Sequence, residues 1–324
     1  MDYIPSGDGS FFWVWADAPK KKTYPFKGLV AGRVWLVAGF YRWVQGDYGG
    51  SKAYLERAVE VFRGSSAWLD LAEGLLHLGV VLWMEGDLAG AQGVLEEVLE
   101  LAPYETAPHL HLKALSNLAN VFYQAGKRQQ AEACIQVTLQ RARERNDRRT
   151  VAISLNNWGV WLKEQGEYAR ARELCMQAHA IWQALPDCLG ETAVLNNLAD
   201  IAMQEGDYET AHQMFQRSLE CALRYRIHWY LPSILQNIAE LALRQGDWQQ
   251  ASRWQQARLY VSLLYEQERH VASTLEALAA LRESLPVELP ESVWEQLQRD
   301  SAAIDREYLL AQLQPMAQAL LEGS

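Results

Sequence analysis

Four asparagines stand forty residues apart in the sequence, and their regular spacing is the first feature that suggests chemistry. They are Asn117, Asn157, Asn197 and Asn237. An amide side chain carries both a donor and an acceptor, so it can pair with the N–H and the C=O of a peptide together. The row therefore indicates either a surface that binds an extended peptide or a set of hydrogen bonds between neighbouring repeats that only fixes how they stack.

The elements that position these amides repeat with the same period. Glycines occur every forty residues, and alanine follows five residues later in five of the six repeats, with serine in the first. The residue seven before each glycine is glycine or alanine. A large residue stands eleven before each glycine, and another stands eight before it in every repeat except the first. Such self-similarity is typical of repeat architectures. The glycines are Gly46, Gly86, Gly126, Gly166, Gly206 and Gly246.

Each repeat predicts two antiparallel helices. The glycine ends the first helix because it adopts a left-handed C-cap at little cost, and the alanine five residues later marks the inner face of the second helix. The small residue seven before the glycine allows a neighbouring helix to approach closely. One pair cannot bury its apolar face alone, so the units must stack into an all-α solenoid.

Three segments are expected along the chain. Residues 1–27 are expected to form an N-terminal capping segment rich in aromatic residues, and residues 28–266 to form six repeats. Residues 267–324 are expected to form a seventh half-repeat followed by capping helices. The aromatic wall at Trp43 and Trp83 is either open or covered by Phe11, Phe12, Trp13, Val14 and Trp15 of the same chain.

The first helices are predicted to line a concave groove whose two ends differ. At the N-terminal end the side chains are mainly aromatic, and further along they are amides and charged groups. An aromatic wall beside polar side chains suits a peptide or protein partner better than a nucleic acid. Besides the four asparagines, the predicted groove residues are Trp43, Trp83, Tyr123 and Lys163, three before the glycine; Asn120, Asp200 and Glu240, six before it; and His77, nine before it.

No arrangement of residues predicts catalysis or metal binding. The sequence contains no H-E-x-x-H and no G-x-S-x-G motif, and no strand is predicted. His109 and His111 are two residues apart, so a helix would point them in different directions. Cys175 occupies an inner helix position and is expected to be a small core residue. We therefore expect neither an enzyme nor a cofactor or metal site.

The net charge, the first residues, the longest apolar stretch and the cysteines indicate which partners and which cellular compartment to expect. A formal net charge of -10 argues against binding to a nucleic-acid backbone. The first residues do not resemble a signal peptide, and the longest apolar stretch is interrupted by Arg33 and Arg42. The four cysteines lack C-x-x-C spacing, which suits a reducing compartment. A cytoplasmic protein with no membrane partner is predicted.

The repeat pattern resembles the tetratricopeptide repeat. Units such as the stretch from Leu195 to Ala199 followed by Gly206, Asp207, Tyr208 and Ala211 are similar to the C-terminal sensor region of bacterial STAND-type signalling ATPases, a group that includes transcriptional regulators. The resemblance implies a right-handed superhelix and a groove whose asparagines hold an extended peptide. No G-x-x-x-x-G-K-[ST] motif occurs, so an ATPase or effector partner would lie in another protein or elsewhere in a parent chain.

Three functions follow from this resemblance. The first is a non-enzymatic sensor or adaptor of bacterial signalling that binds a protein or peptide in the groove. The second is a small-molecule effector-sensing domain of a STAND-type regulator. The third is a scaffold whose groove is filled by its own N-terminal segment.

Overall fold

The computed structural model describes residues 27–44, 46–185 and 188–264, together with Thr274 and Gln314. Within them the chain forms six antiparallel helix pairs, which we call units 1 to 6, and no strand. The first helices of the units are α1 (Gly28–Val44), α3 (Trp68–Met84), α5 (Pro108–Gln124), α7 (Arg148–Glu164), α9 (Cys188–Gln204) and α11 (Leu231–Arg244). The second helices are α2 (Tyr48–Arg63), α4 (Leu88–Leu101), α6 (Arg128–Glu144), α8 (Tyr168–Gln183), α10 (Tyr208–Arg224) and α12 (Trp248–Leu264), and a 3-10 turn (His228–Tyr230) precedes α11.

The repeated glycine makes the turn within each unit. All six glycines have φ between 73° and 84°, a left-handed conformation that glycine adopts without a Cβ clash. In unit 2 the amide of Gly86 donates to the Trp83 carbonyl and that of Asp87 to the Leu82 carbonyl, which closes the end of α3. The Asp87 carboxylate then accepts from the amide of Gly90 at 2.9 Å and caps α4.

The small residue seven before the glycine lies where the two helices of a unit touch. A Cβ added to Gly79 would lie 2.8 Å from side-chain carbons of Leu95, and one added to Gly159 would lie 2.5 Å from Cys175 Sγ. Cβ atoms do not approach other heavy atoms this closely, so a larger residue at either position would force the facing side chain or helix to shift. The role predicted for the small residue is therefore confirmed.

The core runs along the whole array. Each second helix packs against the first helix of the next unit, and the first helices also contact one another from unit to unit. Leu55, Leu95, Ile135, Cys175 and Phe215 occupy the same position in successive units and are buried to at least 99%. The first helices thus form one layer of the solenoid and the second helices form the other.

The all-α solenoid predicted from the repeat is confirmed. None of the helices in the described ranges is long and apolar enough to cross a membrane. Residues 1–26 and most of 265–324 lie outside the described residues, so the capping segment at 1–27 and the half-repeat at 267–324 stay predictions.

Candidate functional site

The layer of first helices presents one stripe of side chains that the core does not use. These positions lie thirteen, nine, six and two residues before each glycine, a spacing that places them on one helix face. At nine and six before the glycine, the side chains of units 2 to 6 are half-buried, while those of Val37 and Phe40 in unit 1 are exposed. We call this surface the groove face.

Two of the four predicted asparagines are used for stacking. Asn197 Nδ2 donates to Asn156 Oδ1 of the preceding unit at 2.9 Å. Asn237 Nδ2 donates to Asn196 Oδ1 in the same way at 3.2 Å. Asn196 is 5% exposed, so its amide needs partners inside the protein. In units 4 to 6 the amides therefore join neighbouring first helices to one another.

Asn117, Asn157 and Asn120 are placed differently. All three are half-buried on the groove face, and none forms a side-chain hydrogen bond with another residue in the part of the chain that the structure describes. For Asn117 and Asn157 the reason is the residue in the preceding unit that would be their partner. Leu76 and Ser116 stand there, in the column that Asn156 and Asn196 occupy in units 4 and 5. Units 3 and 4 thus hold three half-buried amides that have no side-chain hydrogen bond among the described residues.

The aromatic end of the groove differs from the wall that the sequence predicts. The indoles of Trp43 and Trp83 are half-buried and pack against the core of units 1 to 3. The exposed ring is that of Phe40, whose centroid lies 5.5 Å from the Trp43 ring and 5.3 Å from the His77 ring. Together with the exposed Val37, Phe40 makes this end of the groove face apolar.

Tyr123 joins two units. Its ring stacks on that of Trp161 with centroids 4.9 Å apart and planes 8° from parallel, and its hydroxyl donates to the Trp161 carbonyl at 3.1 Å. Both the face of the ring and the hydroxyl proton are thus engaged within the protein. The structure therefore gives Tyr123 a contact between units 3 and 4.

The charged residues predicted to line the far end are paired with one another or with a neighbour. Lys163 Nζ forms an ion pair with Asp200 Oδ2 across the junction of units 4 and 5, and both side chains are largely buried, with 18% and 16% exposed. Asp200 Oδ1 also accepts from Gln204 Nε2 at 3.2 Å. Glu240 pairs with Arg244 one turn further along its own helix at 3.0 Å. These pairs neutralise that end of the groove face.

His77 is neutral in the folded protein near pH 7. Burial, with a smaller contribution from the charge of Lys113, lowers the pKa of His77 to about 4. A neutral imidazole beside Phe40 adds to the apolar end of the groove face without bringing a positive charge to it. The centroid of the His77 ring lies 5.3 Å from that of the exposed Phe40 ring.

Little in the described residues resembles a metal or catalytic site. No cluster of three or more His, Cys, Asp or Glu side chains occurs there that could hold a metal ion. His111 Nδ1 lies 3.0 Å from the Ala102 carbonyl and His111 Nε2 lies 2.9 Å from Arg141 Nη1, so both ring nitrogens are occupied. Cys175 is fully buried, and burial raises the pKa of its thiol to about 12, which keeps it unreactive.

Sequence reasoning missed the residues that tie the units together along this face. Asn156 and Asn196 directly precede two of the predicted asparagines, and the recurrence of the Asn-Asn pair after forty residues is the signal that could have revealed them. Arg33 forms a two-pronged ion pair with Asp70, with N–O distances of 3.1 and 2.8 Å, between α1 and α3. The repeat does not reveal this pair, because the residues forty positions after Arg33 and Asp70 are Glu73 and Leu110, which cannot form the same ion pair.

Comparison with known families identifies the repeat. Family models described as tetratricopeptide repeat match residues 111–147 and 150–224, so these parts of the chain are tetratricopeptide repeats. Both models describe a repeat and not an enzyme family. No sequence among curated proteins matches the chain.

Solved structures with the same fold include three of particular interest. A Rap protein complexed with competence and sporulation factor matches 80% of this chain and 77% of its own, with a TM-score of 0.60 and 15% identity. The Rap conjugation gene regulator of plasmid pLS20 in complex with the Phr* peptide matches 95% and 81%, with a TM-score of 0.56 and 14% identity.

The third is a STAND protein with a tetratricopeptide repeat sensor from Pyrococcus horikoshii. The structural alignment covers 91% of this chain and 44% of the STAND protein, with a TM-score of 0.59 and 17% identity. The resemblance to tetratricopeptide sensor regions is thereby confirmed as a likeness of fold.

Proposed function

We propose that this chain is a non-enzymatic binding module that holds an extended peptide segment along its groove face. The observation that carries the proposal is the set of three half-buried amides without partners among the described residues, Asn117, Asn120 and Asn157. An extended peptide presents N–H and C=O groups that an amide can satisfy in pairs. Half-buried polar groups gain most from such a partner, because they are already partly removed from water.

The two ends of the groove face define how a peptide would lie. Val37 and Phe40 offer an apolar surface for a large side chain of the ligand. The ion pair of Lys163 with Asp200 occupies the charged groups at the junction of units 4 and 5. The ligand is therefore an extended segment whose backbone crosses units 3 and 4 and whose apolar side chains point toward units 1 and 2.

The comparisons support this proposal through the fold. Two of the solved structures with this fold are Rap proteins, one in complex with a peptide and one complexed with competence and sporulation factor. At 14% and 15% identity, the binding residues of those proteins are not transferred to this chain. The proposed binding residues come from the groove face of this chain alone. The likeness to a protein with a tetratricopeptide repeat sensor supports a sensor role in signalling, in which small rotations between units report occupancy.

A selection from a random peptide library tests the proposal. Peptides of about twelve residues displayed on phage would be selected on the full chain, and the affinity of the selected peptides measured by fluorescence polarisation. Asn117→Ala and Asn157→Ala should each weaken binding roughly 2- to 12-fold, the equivalent of one net hydrogen bond. Glu209→Ala on the exposed surface of α10 is the matched control and should have little effect.

Two outcomes would contradict the proposal. One is that no peptide is selected while a pool of metabolites raises the melting temperature, which would favour the small-molecule alternative. The other is that the selected peptides bind both asparagine variants as tightly as the wild type.

A further inference from the structure

Units 1 and 2 expose an apolar surface that the solenoid itself leaves uncovered. Leu29, Val30, Trp68 and Leu69 lie in the first turns of α1 and α3, and each has between 38% and 56% of its surface exposed. The ion pair between Arg33 and Asp70 holds these two turns side by side. We call these four exposed side chains at the starts of α1 and α3 the apolar rim.

Two further exposed apolar side chains lie along α1 beyond the exposed Arg33, which separates them from the apolar rim. Val37 lies one turn beyond Arg33 on the same side of the helix, and Phe40 lies one turn beyond Val37. Both are exposed, at 53% and 43%. Large contiguous apolar surfaces on soluble proteins mark contacts with another segment or another molecule.

We propose that residues 11–15 of this same chain cover the apolar rim and the Phe40 end of the groove face. These residues are Phe11, Phe12, Trp13, Val14 and Trp15, five large apolar side chains in succession. They lie outside the described residues, and the proposal depends on the described surface and on the sequence. Five such side chains need an apolar partner surface of the kind that α1 and α3 expose.

The connection between the two is long enough. Residues 16–27 provide twelve residues, which span up to about 40 Å when extended. Helix α1 has 17 residues and is therefore roughly 26 Å long. Residues 11–15 can thus reach any part of the surface from Leu29 to Phe40.

Charge supports the same placement. Lys20, Lys21 and Lys22 lie in the connection, and Glu73 is exposed on α3 one turn beyond Leu69. Glu73 has no ion pair with another side chain in the described ranges. A basic connection that passes this carboxylate gains a favourable contact, although a modest one because the site is exposed to solvent.

This arrangement has a consequence for ligand binding. Because Phe40 and Val37 belong to both the proposed contact and the groove face, residues 11–15 would compete with the apolar side chains of a ligand. The contact itself does not depend on the proposed function, and it would exist in the free chain.

Photocrosslinking in the full chain tests the contact. A benzophenone amino acid is placed at position 13 in place of Trp13, and the crosslinked products are mapped by mass spectrometry. We expect crosslinks within single chains to α1 or to the first turn of α3. The same group at position 176, in place of the exposed Met176 on α8, is the control and should give no crosslink to α1.

A second measurement keeps the test independent of folding. Val30→Glu and Leu69→Glu change exposed residues at the rim, and each should lower the crosslink yield from position 13 about tenfold by placing a carboxylate against an apolar contact. Circular dichroism would show that both variants keep their helices. Crosslinks between two chains would overturn the proposal in favour of a second copy as the occupant. Crosslinks that miss the rim, or a yield that neither variant changes, would also overturn it.

Discussion

Asn197 Nδ2 donates to Asn156 Oδ1 at 2.9 Å across the junction of units 4 and 5. The equivalent bond joins Asn237 to Asn196 across the next junction. In units 3 and 4, Asn117 and Asn157 find no such amide in the preceding unit. The same column of asparagines therefore forms stacking hydrogen bonds in units 5 and 6 and no side-chain hydrogen bond among the described residues in units 3 and 4.

The close contact between α7 and α8 predicts the effect of Gly159→Ala. The new Cβ would lie 2.5 Å from Cys175 Sγ and 3.1 Å from the Ala171 carbonyl oxygen, so the Cys175 side chain or one of the two helices must shift. We expect a loss of about 1–3 kcal/mol in the free energy of unfolding. Urea denaturation followed by circular dichroism measures it.

A second substitution distinguishes overpacking from a change in helix propensity. Cys175→Ala in the Gly159→Ala background removes the Sγ atom and should restore part of the lost stability. Because repeat arrays pass stability mainly to adjacent units, hydrogen exchange should increase first in units 3 to 5. A uniform increase along the array, or no rescue by Cys175→Ala, would contradict the packing argument.

The fold could be predicted from the sequence because its determinants are local and repeated. The left-handed turn at Gly86, the small residue at Gly79 and the buried Leu95 each follow from the preference of a single residue type in a fixed place. Each preference is weak alone, but the same residue types recur at the same positions in six units, which makes the combined prediction strong. Little else is needed to determine the pairing of the helices.

The site was harder to predict because it depends on which side chains meet across units. Lys163 and Asp200 are 37 residues apart, and Asn197 and Asn156 are 41 residues apart. The forty-residue columns align equivalent positions, whereas these contacts join positions that are not equivalent. The columns did not show that Tyr123, Lys163 and Glu240 have partners within the chain.

His77 predicts how the stability of the N-terminal units depends on pH. Burial lowers the pKa of His77 to about 4 in the folded chain, against about 6.5 in the unfolded chain. The folded state therefore binds fewer protons, so stability is full above pH 6.5 and falls as the pH decreases from 6.5 toward 4. The loss at pH 4 is at most on the order of 3 kcal/mol, because solvent screens a half-buried group.

Thermal unfolding between pH 4 and 7.5 measures this effect. His77→Gln should reduce the pH dependence, since the variant has no imidazole to protonate. The exposed His212→Gln controls for the removal of a histidine elsewhere. If His77→Gln keeps the full acid dependence of the wild type, the assignment to His77 is wrong.

The ion pair of Lys163 with Asp200 predicts strong coupling between the two residues. Lys163→Met alone leaves a largely buried carboxylate without its cation, and we expect it to cost about 1–3 kcal/mol. The double variant Lys163→Met with Asp200→Leu removes both charges and should be closer to the wild type than the sum of the single variants. A double-mutant cycle from urea denaturation gives the coupling energy. Purely additive losses would show that the pair does not hold units 4 and 5 together.

The most direct test of the division within the asparagine row measures melting temperature and peptide affinity on the same samples of Asn157→Ala and Asn197→Ala. The peptide is one selected on the full chain. We predict that Asn157→Ala binds it roughly 2- to 12-fold more weakly and melts like the wild type, because it loses a contact with the ligand. Asn197→Ala should lose about 1 kcal/mol of stability with little change in affinity, because it loses the bond to Asn156. An Asn157→Ala protein that melts early and binds normally, or an Asn197→Ala protein that melts normally and binds weakly, would contradict this account.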